Sequence, residues 1–319
     1  MRGLRWAVKL VPIVLQGVSM KRLAVYLVVT FGLTWGLMIP AGIALGTFAH
    51  GESSSPVMMG LIALSMFFPL VGALVANLVS ASEERIDLAV RPRVKQSIGS
   101  YLLAWFVPAA ITLLGDVVFF ALNPQWFDPT MSSSLQAIAA AAGQSADQLT
   151  AQMPPVPVTL AMTLALSLAV APFINMIPAF GEEVGWRGML FPTLAEHMSE
   201  RAAALASGVI WGLWHAPAIA MGHNYGMGYA GFPVAGILTM TLLCTAMACC
   251  LSYLRKRSES MWPCALAHGA FNAIANVGLG FCSVGTTLYG PTPLGLVAGI
   301  PLIVLGAVSL WRLSPLRSA

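Results

Sequence analysis

Charge is what this chain most lacks. Asp, Glu, Lys and Arg make up 9% of its residues and hydrophobic residues 58%, whereas an ordinary soluble domain carries roughly 25% charged residues. Water is therefore excluded as the solvent for most of the surface. Cysteine is scarce as well. Cys244, Cys249, Cys250, Cys264 and Cys282 fall inside apolar stretches without paired metal-ligand spacing, which argues against a disulfide framework and leaves them as small core residues. A long polar linker and an internal repeat are also missing, so one integrated membrane domain is expected.

Hydrophobic runs, by contrast, are abundant. A bilayer core of about 30 Å needs about 20 helical residues. Stretches near 23–45, 57–79, 101–122, 158–181, 202–220, 233–254, 260–282 and 293–311 meet that need. The expected fold is all-α: a polytopic transmembrane helix bundle with eight spans. The basic residues test that count, because cytoplasmic loops collect Lys and Arg. Arg2, Arg5, Lys9, Lys21 and Arg22 precede the first span; Arg85, Arg91, Arg93 and Lys95 follow the second; Arg187 and Arg201 follow the fourth; Arg255, Lys256 and Arg257 follow the sixth; Arg312 and Arg317 close the chain. All sixteen fall on one side, which predicts both termini in the cytoplasm of a cell membrane. The formal charge of +4 then reflects topology and attraction to anionic lipid, not nucleic-acid binding. The basic start and short apolar run Leu10 to Val18 resemble the opening of a signal peptide but show no small-residue cleavage site, and an uncleaved interfacial helix is expected there.

Residues 1–157 comprise that helix, three supporting spans and an outward connection at 123–157. The connection contains an Ala- and Gln-rich stretch with helical character and ends in Pro154-Pro155-Val156-Pro157. Residues 158–319 form a five-span half that holds the chemical polarity. Asp116 is the single acid within the first three spans, and a helix-end charge or a packing hydrogen bond is its expected role.

Three short stretches place ionisable or amide groups on otherwise apolar segments: Glu182-Glu183-Val-Gly-Trp-Arg187, Trp211-Gly-Leu-Trp-His215 and His268-Gly-Ala-Phe-Asn272. Such groups are costly in hydrocarbon and normally face a bundle interior or a watered cavity. Residues four apart share a helix face, so Glu183 can pair with Arg187 while Glu182 points elsewhere, free to reach another helix. Small Gly181, Gly185 and Gly188 admit a neighbouring backbone or a substrate. His215 and His268 lie 14 and 11 residues beyond Arg201 and Arg257, roughly 16 to 21 Å along their helices. Neither can snorkel out. A carboxylate in an apolar cavity suits general-base work, an imidazole can relay a proton, and a carboxamide can donate to an oxyanion. His50 and His223, in outward loops, and His197, near the cytoplasmic surface, are expected to be solvated and without a specific role.

Taken together, the three motifs resemble the CAAX protease and bacteriocin-processing family of intramembrane proteases, which includes the prenyl-protein endoproteases. The family signature is Glu-Glu-x-x-x-Arg, then an aromatic-x-x-x-His motif on the next helix, then His-x-x-x-Asn two helices later. The likeness covers about residues 160–282, with Trp211 standing where Phe is usual. It implies an endopeptidase acting on a membrane-anchored or lipidated, CAAX-like protein or peptide, with a site reached from the cytoplasmic side or the bilayer. By the resemblance Glu182 activates water with help from His215, His268 and Asn272 steady the oxyanion, and Glu183 with Arg187 holds the motif. Metal dependence stays open: no His-Glu-x-x-His is present, and a zinc ion would fall to His215, His268 and Glu182. The alternative class is a non-proteolytic membrane scaffold or bacteriocin-immunity protein.

Overall fold

The computed structural model describes residues 18–51, 55–82 and 85–315. The expected interfacial helix before Val18, with Arg2, Arg5 and Lys9, lies outside the described residues, as does Arg317. Among the described residues the chain is all-helical, without a β-strand.

Five helices are long and apolar enough to cross a membrane: Met20–Ala44, Pro56–Leu78, Val94–Leu122, Val234–Ser258 and Trp262–Phe281. A sixth is reached if Ala146–Gln152 and Val156–Ala169, bent by 73°, count as one span. Eight is thus more than helix length supports, and proline is the reason. The stretch expected at 158–181 breaks at Val170 and resumes as Ala171–Glu183, with Pro172 in its first turn. The Glu200–Trp214 helix stops at His215 and resumes as Ala216–Ala220, with Pro217 in its first turn. The last helix, Ile300–Arg312, likewise begins at a proline, Pro301. Proline is tolerated in a first turn because the N–H it lacks has no partner there anyway, so each one marks a fresh start.

Small residues let these pieces lie close together. A Cβ on Gly269 would sit 2.6 Å from the Pro172 carbonyl oxygen and 2.5 Å from the Met176 nitrogen, so the Trp262–Ile274 helix touches the backbone of Ala171–Glu183. Without a hydrophobic drive between helices in lipid, such close van der Waals packing is what holds them.

The first helix presents one buried stripe, Arg22, Tyr26, Thr30, Thr34 and Met38, at four-residue spacing. It packs against the second half. Trp214 Nε1 donates to Thr34 Oγ1 at 2.8 Å, Trp35 Nε1 donates to the Trp214 carbonyl at 3.1 Å, and Tyr26 meets Trp186 edge-on. Arg22 pairs with Glu196 across 174 residues of sequence.

The bundle has two chemically distinct ends. At one, Lys256 pairs with Glu200, Arg93 with Glu259, and Trp262 Nε1 donates to the Val90 carbonyl. At the other, Asp128 N donates to the Phe281 carbonyl, Ser283 N to the Trp126 carbonyl and Tyr225 Oη to the Leu294 carbonyl. The connection at 123–157 is helical at Ser132–Ala142 and Ala146–Gln152, the second capped by Ser145 and Gln148 in reciprocal hydrogen bonds.

Candidate active site

The glutamate motif straddles a change of winding. Ala171–Glu183 is α-helical and Val184–Leu190 is π-helical, a rare winding that recurs at functional sites. Residues 181–190 are buried without exception. The glycines here admit backbone: a Cβ on Gly185 would lie 2.3 Å from Pro69 Cβ, and one on Gly188 would lie 3.1 Å from the Leu88 carbonyl oxygen.

The two carboxylates divide as helical geometry predicts. Glu183 Oε1 accepts from Arg187 Nη1 at 3.2 Å, with both side chains fully buried. The Arg187 guanidinium also lies 4.3 Å from the centre of the Trp211 ring. Glu182 turns away, and its Oε2 accepts from two indoles, Trp211 Nε1 at 2.7 Å and Trp186 Nε1 at 3.0 Å. The second oxygen, Oε1, is left for chemistry.

Each imidazole is oriented through Nδ1. His215 Nδ1 lies 2.9 Å from the Trp211 carbonyl oxygen and His268 Nδ1 lies 3.0 Å from Glu183 Oε1. A carbonyl or carboxylate only accepts, so the proton sits on Nδ1 in both rings and Nε2 is the working nitrogen. Trp214 stands edge-on to His215 and Trp211 edge-on to His268, which restricts both rings further.

Glu182, His215, His268 and Asn272 line one cavity of about 770 Å³. Glu183 and Arg187 are behind its wall. Asn175, His223, Asn224 and Asn276 also line the cavity, so His223 departs from its expected solvated role. The turn bearing His223 and Asn224 folds back over the bundle, a contact no sequence spacing encodes. Thr34 and Met38 add a wall from the first half. Asp116 does not join this cavity: it is buried against Gly278, and neither carboxylate oxygen has a hydrogen-bond partner.

Among the described residues no group of three His, Cys, Asp or Glu side chains is arranged to hold a metal ion. His215, His268 and Glu182 are not gathered into such a group.

Fold and site define a helical membrane protein with an acid, two oriented imidazoles and a carboxamide around one intramembrane cavity. Residues 161–274 match the family described as type II CAAX prenyl endopeptidase Rce1-like. A segment of 53 residues is 38% identical to CAAX prenyl protease 2 of Methanococcus maripaludis, covering 17% of this chain and 20% of that relative. The chain thus aligns with about a fifth of the relative's length.

Proposed function

We propose that the protein is an intramembrane endopeptidase that hydrolyses a peptide bond of a membrane-anchored or lipidated, CAAX-like protein or peptide by direct attack of water. One observation carries the reading: Glu182, His215, His268 and Asn272, from three separate helical segments, border the same cavity, while two indoles hold Glu182 with one oxygen free. The family match over residues 161–274 and the name of the relative support the reaction class.

In this mechanism Glu182 Oε1 takes a proton from water as its oxygen bonds to the scissile carbonyl carbon, with His215 Nε2 steadying the water by accepting its second hydrogen. The carbonyl oxygen becomes an oxyanion. The Asn272 carboxamide donates to it and His268 steadies it, its ring held by the Nδ1–H contact to Glu183. Glu182 then returns its proton to the leaving nitrogen, the C–N bond breaks, and a carboxylic acid and an amine result. Trp211, Trp186, Glu183 and Arg187 act through the groups they position. We take residues 1–157 and 158–319 as one integrated unit in a cell membrane, both termini cytoplasmic, because the first half supplies cavity wall and the basic residues share one end.

General acid–base groups contribute about 10²- to 10⁴-fold, and Glu182→Gln is expected to lower cleavage by at least the smaller factor with membrane abundance retained. His215→Ala should do likewise. Comparing membrane-peptide fragments in cells expressing native chain and Glu182→Gln tests this: a fragment formed only with the native chain identifies substrate and bond, and full activity in both variants removes the mechanism.

A further inference from the structure

The cavity is not centred in the bundle. Four helices that run its length contribute lining only from the half remote from the basic end. The Val18–Ala44 helix gives Thr34 and Met38 but not Arg22, Tyr26 or Thr30; the Glu200–Trp214 helix gives nothing before Trp211. In the Val234–Ser258 helix, which runs the opposite way, lining spans Met240 to Met247 and stops before the basic last turn. In the Trp262–Ile274 helix it starts at His268. Beyond the helices it continues through His223, Asn224, Thr286 and Thr292, all in loops that hold no Lys or Arg. Towards the basic end, beneath Glu182, the π-helical turn closes the floor, with Gly185 on Pro69 and Gly188 on Leu88. None of residues 183–210 lines the cavity.

Cytoplasmic loops collect Lys and Arg, so the basic end marks the cytoplasm and the cavity's polar walls lead the other way. We propose that the scissile segment reaches Glu182 from the Lys/Arg-free face, and that the substrate is therefore a chain segment exposed on the translocated side of the membrane, either secreted or tethered there. The lining suits an extended, uncharged segment. Four carboxamides, from Asn175, Asn224, Asn272 and Asn276, offer donors and acceptors to a peptide main chain, and five methionines give an adaptable apolar wall. No Lys or Arg lines it, so an acidic segment finds no counter-charge.

This inference rests on the endopeptidase reading for the identity of the occupant, but the side of entry is measurable without catalysis. In a Cys244→Ala background, Asn276→Cys places a thiol in the cavity and Lys95→Cys one at the basic end. A membrane-impermeant, charged thiol reagent is applied to intact and to permeabilised cells. The expected result is labelling of Asn276→Cys to the same extent in both, with Lys95→Cys labelled only after permeabilisation. Glu182→Gln added to Asn276→Cys should leave labelling unchanged. The proposal is overturned if Asn276→Cys reacts only after permeabilisation or not at all, or if Lys95→Cys reacts in intact cells. Should Asn276→Cys fail to accumulate, Thr286→Cys at the mouth takes its place with the same criteria. Outward labelling without any Glu182-dependent fragment would defeat the endopeptidase reading and leave the entry side standing.

Discussion

Arg187→Met isolates the strongest electrostatic element of the motif. Arg187 and Glu183 are both inaccessible to solvent and are joined by one 3.2 Å contact. Glu183 Oε2, Arg187 Nε and Arg187 Nη2 have no hydrogen-bond partner, so the pair is desolvated without full compensation. Removing one member of a buried pair costs about 3–5 kcal/mol, because the other charge stays buried and unpaired. Here the loss is bounded from above by His268, which still reaches Glu183 at 3.0 Å, and enlarged by the lost cation over Trp211, a contact of up to about 2 kcal/mol when desolvated. The net expectation is a loss of about 3–5 kcal/mol. Glu183→Gln with Arg187→Met should recover most of it: the charge is gone and a carbonyl oxygen still accepts from His268. Reversible unfolding in mixed micelles of the native chain, the two single variants and the double variant closes the cycle. A single-variant loss below about 1 kcal/mol, the range of exposed pairs, or a double variant no more stable than Arg187→Met, would refute this account.

Trp211→Phe keeps a ring but removes the indole N–H on Glu182. A hydrogen bond to a charged group is worth about 1.5–3 kcal/mol, so single-turnover cleavage should slow about tenfold or more with abundance unchanged; unaltered turnover would show that Trp211 does not position the carboxylate. Gly185→Ala drives a methyl to 2.3 Å from Pro69 and should cost about 1–3 kcal/mol, measured by the same unfolding assay, whereas Gly36→Ala meets nothing within 4 Å and serves as the tolerated comparison. On the connection at 123–157, Asp128 is held well below the usual carboxylate range. Partial burial works against that, but backbone donation from Ser133 and donation from Thr130 and Ser132 outweigh it. Its stabilisation is present above the unfolded value of about 4 and is lost as pH falls through the lower folded value. The protection factors of the Thr130 and Ser133 amides should therefore fall on acidification, and unchanged protection factors would contradict it.

Local spacing made some of this site legible beforehand. The Glu183–Arg187 pair follows from four-residue spacing, and the freedom of Glu182 to face another helix follows from the 100° turn between neighbours. The cysteines are free, as their scatter suggested. What stayed hidden depends on distance along the chain. The His268 link to Glu183 spans 85 residues and the Trp211 link to Glu182 spans 29, and neither indole announces a donor role in a helix rich in aromatics. His223 looked solvated because loop composition says nothing of where a loop folds. Span counting exceeds the number of long helices for a related reason: hydropathy sums across Val170 and His215 without registering that proline restarts the helix there.

The buried stripe on the first helix has a consequence for how the molecule is made. Arg22 meets Glu196 only after 174 further residues have been synthesised, and Thr34 awaits Trp214 across 180. At about 5–20 residues per second, the leading helix resides in the membrane for roughly ten to thirty-five seconds with hydroxyls and a guanidinium still seeking their mates. Biogenesis must shelter that helix through the interval, so late assembly, more than insertion of any individual helix, is where production of this protein is most vulnerable.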